Sequence, residues 1–235
     1  MAPRPDPSTA YARVIERELR IEGDLAAAAA RVFVQTAPRS VALAGGATPR
    51  PLYERLATSF LGYPWQEVDV FFGDERCVPP DHADSNLRMA NESLLSRLLP
   101  KGPRVHPMPG ASCDAAAYEK ELSEAFGTTS TTFDLVILGL GADGHTASLF
   151  PGDPALNETE RLVVRVERPD HPRLTLTLPA LSAAKQALFL VAGEAKREAL
   201  TRLMDGDEGL PAPRVHSNTV LVLAEPDAAS HLTGS

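Results

Sequence analysis

Apolar positions along the chain fall into two rhythms. Five short runs are apolar at nearly every position: residues 40–44 (SVALA), 68–72 (VDVFF), 133–138 (FDLVIL), 187–191 (ALFLV) and 218–223 (NTVLVL). Runs of this length and continuity predict strands covered on both faces. Residues 162–166 and 174–178 predict two more. Between them, apolar residues recur every third or fourth position. Residues 8–35 (with an interruption at Gly23), 49–60, 85–99, 114–126 and 194–204 therefore predict helices, with Leu52, Tyr53 and Leu56 on one face of the second. The alanines at 26–30 favour helix over linker. Turn-rich stretches at 100–110, 127–132, 151–159 and 205–213 read as surface loops, and residues 1–8 as a loose arm.

Strands separated by helices, several of them apolar throughout, predict an α/β fold with an open, mainly parallel sheet. No stretch marks a domain boundary, so residues 1–235 are expected to form one domain. The composition agrees: 43% hydrophobic and 23% charged residues are ordinary globular usage and exclude wholesale disorder. The net charge of −8 argues against sequence-independent nucleic-acid binding, though not against a local basic pocket for a small anion. The apolar stretch at 25–34 contains Arg31 and is far short of the ~20 residues a membrane span needs. The proline-rich start has no apolar core of a secretory leader. Cys77 and Cys113 are too few for a disulfide framework or a four-cysteine zinc site, so a reducing, cytoplasmic setting is expected.

Ligands of open α/β sheets bind outside the carboxyl ends of the strands, and four strands end in glycines followed by ionisable or hydroxyl residues. The first enters Gly45-Gly46-Ala47-Thr48, the second Gly73-Asp74-Glu75-Arg76, the third Gly139-Leu140-Gly141-Ala142-Asp143-Gly144-His145, and the fourth Gly193-Glu194-Ala195-Lys196. Parallel strands would bring these loops to one edge. The Gly45–Thr48 loop leads from strand to helix, where glycines and free helix N–H groups could cradle a phosphate. A tight turn would use the same residues. It lacks the spacing of a Walker loop.

Gly139, Gly141 and Gly144 match the dinucleotide fingerprint, with Glu167 placed for a ribose, but Pro151-Gly152 follows too soon for a crossover helix. The nucleotide reading is therefore set aside. Asp143 and His145, two residues apart on the same loop, make a better pair. An imidazole can act as a base at neutral pH, and a neighbouring carboxylate can fix its tautomer and support its cationic form. The remaining histidines, at 82, 106, 171, 216 and 231, border prolines or the tail and read as surface or loop. Nothing in their spacing indicates a metal site. No G-x-S-x-G elbow is present, and Ser148 is a poor nucleophile candidate. Arg76, Arg173 and Lys196 lie near the same edge and could hold an acidic substrate. Lys196, in the first turn of its helix, opposes the dipole unless an anion relieves it.

Together these motifs resemble the 6-phosphogluconolactonase family: AGGATP at 44–49, FGDER at 72–76 followed by DSNLR at 84–88, LGLGADGHTASLFP at 138–151, PRLTLT at 172–177 and GEAK at 193–196. They occur in the family's order. The resemblance implies a modified Rossmann-like three-layer α/β/α fold, shared with glucosamine-6-phosphate deaminases and ribose-5-phosphate isomerases. It implies hydrolysis of 6-phospho-D-glucono-1,5-lactone in the oxidative pentose phosphate pathway by a carboxylic ester hydrolase using no cofactor, metal or nucleotide. His145 would be the base, with Asp143 and Arg76 beside it. Gly45, Gly46, Ala47, Thr48, Asp74, Arg173 and Lys196 would bind the substrate, Asp74 holding either Arg76 or a sugar hydroxyl. Deaminases of the superfamily carry a glutamate five residues after the histidine, where this chain has Phe150, which cannot transfer protons. A non-catalytic sugar-phosphate sensor is the other alternative. The oligomeric state is not legible.

Overall fold

A computed structural model of the chain describes residues 16–127 and 132–232. The arm expected at 1–8 and the start of the first expected helix lie outside them. The remainder of that helix divides in two. Residues Arg17–Ile21 form strand β1, and helix α1 (Leu25–Thr36) begins only after Asp24, whose side chain accepts the Ala27 N–H at 2.9 Å. RELRI has the composition of a helix. However, it pairs along its whole length with β10 (Thr219–Ala224), and that ladder overrides local propensity.

The expected parallel sheet is present. Besides β1 and β10 it holds β2 (Ser40–Leu43), β3 (Asp69–Phe72), β5 (Arg104–Val105), β6 (Leu135–Gly139) and β9 (Gln186–Val191); β4 (Asp74–Arg76) lies outside it. The order is β1-β10-β9-β6-β2-β3-β5, with every pairing parallel. All of β2 and nearly all of β6 and β9 are buried. Because neighbouring strand residues face opposite sides, both faces of the sheet must be covered, which makes the three-layer α/β/α arrangement. Its covering helices include α1, α2 (Arg50–Ser59), α3 (Asn86–Ser93), α4 (Ala115–Phe126), α5 (Leu178–Ser182), α6 (Arg197–Met204) and α7 (Pro226–Ala229). One cluster of buried side chains extends from Leu25 to Ala229. Each fully buried Val, Leu or Phe in it contributes roughly 1.5–3 kcal/mol.

Two expected strands do not join the parallel sheet. β7 (Val163–Val166) and β8 (Arg173–Leu176) lie instead in a separate three-stranded antiparallel sheet, in which β8 is central and pairs with β7 on one side and β4 on the other. Gly73 couples the two sheets: its N–H donates to the Leu43 carbonyl at 2.9 Å, and its own carbonyl accepts the Leu176 N–H at 2.8 Å. Two expected helices are shorter than their patterns. The one at 85–99 stops at Ser93 and continues as a 3₁₀ turn, and residues Glu194–Lys196 form a 3₁₀ turn ahead of α6.

The cysteines depart from expectation as well. Cys77, just after β4, is bonded to Cys113, just before α4, as a disulfide. They are 36 positions apart, and nothing in the sequence alone was a reason to pair them. Their Cα atoms lie 5.1 Å apart because the β4 end and the 107–113 loop meet. Among the described residues, no helix is long and apolar enough to cross a membrane.

Candidate active site at the carboxyl edge of the sheet

The four glycine-ended strands β9, β6, β2 and β3 are neighbours in the sheet. From β2 the chain winds outward to β3 and β5; from β6 it winds the other way to β9 and β10. The reversal lies between β2 and β6, where open α/β sheets form a crevice. A cavity of about 190 Å³ opens there, and its walls include Gly45–Thr48, Asp74, Arg76, His145, Arg173 and Lys196. Of the residues singled out from sequence, only Asp143 is not on the wall; it stands behind His145.

His145 Nδ1 lies 2.6 Å from Asp143 Oδ1, and the same oxygen accepts the His145 backbone N–H at 3.2 Å. An acceptor at Nδ1 places the proton there and leaves the Nε2 lone pair available. Nε2 has no hydrogen-bond partner among the described residues. Partial burial would raise the Asp143 pKa, but the bonds from the His145 ring and backbone outweigh it and hold the carboxyl below its usual value. The Phe150 ring packs against the imidazole, with centroids 4.5 Å apart, and the Arg168 guanidinium carbon lies 3.8 Å from the Phe150 centroid. No helix follows the Gly139–Gly144 fingerprint before the 3₁₀ turn at Pro154–Asn157, so the dinucleotide context is absent.

The Gly45–Thr48 loop enters α2 with no side chain capping the helix, which leaves its first N–H groups to the cavity side. The buried Tyr53 hydroxyl holds the loop by donating to the Ala44 carbonyl at 2.8 Å. Beneath Gly45 lies Asn86, so a Cβ there would come within 1.8 Å of Asn86 Oδ1. Asn86 is a site residue that the sequence reading missed. Its place in the DSNLR motif at 84–88, just inside a helix after the capping Ser85, was the available signal.

Asp74 does not hold Arg76, one of its two expected roles. Its carboxylate, 7% exposed, accepts from Asn86 Nδ2 at 3.0 Å and from Ser148 Oγ at 2.5 Å. Ser148 is fully buried in that bond, a structural role that fits its poor promise as a nucleophile. Arg76 Nη1 instead donates to the Asp84 carbonyl at 2.7 Å. Arg173 Nη2 pairs with Asp170 at 2.7 Å, and its Nη1 lies 3.5 Å from Ser148 Oγ. The Nε atoms of Arg76 and Arg173 are both buried and have no partner among the described residues. The Lys196 side chain forms no hydrogen bond or ion pair among the described residues and lines the same cavity.

Glu75, between Asp74 and Arg76, is 2% exposed and accepts the Asn86 and Leu87 N–H groups at 2.7 and 2.8 Å, fastening the start of α3 to β4. Burial raises its pKa, with those bonds opposing. Two histidines lie in loops as expected but are held there by specific partners. His106 is largely buried, bridges Glu121 and Asp69 at 2.6 and 2.9 Å, and stacks on Phe71. His171 joins His82 and Asp84 in a group whose ligand-type atoms lie within 4.8 Å of one another.

Comparison with known proteins identifies the family and the fold. The family described as glucosamine-6-phosphate isomerases/6-phosphogluconolactonase matches residues 17–223. A 6-phosphogluconolactonase of Synechocystis sp. is 44% identical over 197 residues, 80% of this chain and 81% of that protein. The 6-phosphogluconolactonase of Mycobacterium tuberculosis is 36% identical over 82% of this chain and 84% of its own. Among solved structures, the 6-phosphogluconolactonase from Trypanosoma cruzi superposes with a TM-score of 0.82 at 30% identity, covering 93% of this chain and 97% of that one.

Proposed function

The chain belongs to the glucosamine-6-phosphate isomerase/6-phosphogluconolactonase family, and within it we infer that the protein is a 6-phosphogluconolactonase. It hydrolyses 6-phospho-D-glucono-1,5-lactone to 6-phosphogluconate in the oxidative pentose phosphate pathway. The observation that carries the reading is one cavity with a carboxylate-supported imidazole and three basic side chains on its walls.

In the mechanism we propose, His145 Nε2 takes a proton from water as its oxygen attacks the lactone C1 carbonyl. The negative charge moves to the former carbonyl oxygen, where Arg76 or the loop N–H groups stabilise it. Collapse expels the ring oxygen, which receives the proton from the imidazolium. Asp143 keeps the ring oriented and supports its cationic form meanwhile. The 6-phosphate rests among Gly45, Gly46, Ala47, Thr48, Arg173 and Lys196, which fixes the carbonyl relative to His145. Asp74 braces Asn86 and Ser148 beneath that surface. This chemistry calls on no metal and no nucleotide.

Phe150 supports hydrolysis over deamination or isomerisation, since an apolar ring stands against His145 where a second proton-transfer group would be needed. The continuous core supports the chain acting as a single domain. A cytoplasmic location belongs to the same proposal.

The test is an assay on fresh lactone, made in situ by oxidising glucose 6-phosphate and followed by proton release on ring opening. Acceleration over the spontaneous rate, lost in His145→Ala, is the expected result. No acceleration, with glucosamine 6-phosphate and ribose 5-phosphate also inert, would favour a sugar-phosphate sensor instead.

A further inference from the structure

His82 and Asp84 lie in the turn between β4 and α3, and His171 lies in the loop between β7 and β8. Asp84 and His171 are 87 positions apart in the chain, yet His171 Nε2 is 3.1 Å from Asp84 Oδ2. His82 Nδ1 is 3.7 Å from the same oxygen. All three ligand-type atoms fall within 4.8 Å of one another, and the two imidazole planes cross at 80° with centroids 5.3 Å apart. We propose that His82, Asp84 and His171 bind a divalent first-row transition metal of the zinc class at the rim of the cavity, outside the Asp143–His145 pair.

Zinc bonds to imidazole nitrogen and carboxylate oxygen at about 2.0–2.1 Å, so the edge of a tetrahedral site measures roughly 3.3 Å. The distances of 3.1 and 3.7 Å lie on either side of that edge, and all three atoms are within 4.8 Å of one another, so small side-chain rotations would bring them onto one ion. Perpendicular rings can approach one ion without their edges colliding. Two imidazoles and one carboxylate select zinc, cobalt, nickel or copper over magnesium and calcium, whose sites are built from oxygens. Three protein ligands leave a fourth position for water. Binding would replace two hydrogen bonds, His171 Nε2 to Asp84 Oδ2 at 3.1 Å and the Asp84 N–H donated to His82 Nδ1 at 3.2 Å.

The charges around the group are mixed. Asp81 and Asp170 neighbour the two histidines in sequence, while Arg76 and Arg88 donate to the Asp84 and Asp81 carbonyls. Those carbonyl contacts link the site to the cavity. Asp84 would offer its carboxylate to the metal and its carbonyl to Arg76, and His171 stands two residues before Arg173. A bound ion would therefore tie together the two loops that carry the cavity's arginines.

The experiment titrates untagged protein with Co²⁺, whose visible absorption reports its coordination, and then displaces it with Zn²⁺. Wild type should take up one equivalent with four-coordinate bands, and stoichiometric Zn²⁺ should raise its melting temperature. His82→Ala and His171→Ala should each weaken binding by more than the roughly 10–100-fold that losing an outer hydrogen-bond partner costs. Their melting curves without metal should match wild type, and His145→Ala should bind as wild type does. Absence of binding at millimolar Co²⁺ would overturn the proposal. So would binding that survives in His171→Ala and disappears in His145→Ala.

Discussion

Arg76 on β4 and Arg173 on β8 are direct cross-strand partners in the antiparallel sheet, so their side chains leave the same face of one paired position. Like charges placed opposite one another disfavour a strand pair by up to about 1 kcal/mol. Each also keeps a buried Nε without a partner. The local structure is therefore incomplete without an anion, and the substrate phosphate and the reaction's developing oxyanion are both anions.

Removing these cations should accordingly separate binding from chemistry. Arg173→Ala and Lys196→Ala are expected to raise KM at least about tenfold with kcat changed less, because ground-state phosphate contacts act on binding. Arg76→Ala should lower kcat as well if it faces the oxyanion, by roughly 10²-fold or more. Steady-state kinetics on fresh lactone would sort the three. An unchanged KM in Arg173→Ala would remove that residue from the phosphate site.

His145→Ala should lower kcat by about 10²–10⁴-fold, the usual contribution of a positioned acid–base group. Affinity for the product 6-phosphogluconate should remain near wild type, because the basic side chains persist. Calorimetry of product binding beside the turnover assay distinguishes a missing base from a collapsed pocket.

What was legible in the chain follows from the kind of signal each part carries. The strands β2, β3, β6 and β9 announce themselves because both their faces are buried, which makes the sequence apolar throughout. Their terminal glycines then pointed to a common edge. β4 carries no such pattern: Asp74, Glu75 and Arg76 are charged, and Glu75 and Asp74 are buried by specific bonds to α3 and Ser148 instead of by apolar packing. β1 was hidden by helix-forming residues whose strand state depends on β10. The opposition of Arg76 and Arg173, the Cys77–Cys113 bond and the His82–Asp84–His171 group all join residues distant in sequence. Spacing within one segment cannot disclose them.

Gly141 is a position where a single methyl group should strike the catalytic pair directly. A Cβ there would lie 2.0 Å from His145 Nδ1 and 2.5 Å from Asp143 Oδ1, so it would occupy the space of the hydrogen-bonded pair. Gly141→Ala must push the imidazole aside, and a displacement of about 1 Å in a catalytic group can cost 10²-fold in rate. We expect that loss in kcat with the far-ultraviolet circular dichroism unchanged. A wild-type rate would show that the His145 ring is not held where turnover requires it.

Asp143→Asn tests the pair by pH. The Asp143 carboxyl is held below its usual 3.8 in the folded chain by the His145 ring and backbone N–H groups, which outweigh the opposing effect of burial. A depressed folded pKa means that the unfolded chain binds the proton more readily. The carboxylate then contributes stability above pH 3.8, and that contribution fades as the pH falls through the folded value. Wild type should therefore exceed Asp143→Asn in urea midpoint at pH 7, with the gap narrowing below about pH 4. The variant should also lose kcat, because an asparagine neither supports the imidazolium nor specifies the Nδ1–H tautomer. A gap that widens in acid would reverse the sign of the interaction and leave His145 without its supporting charge.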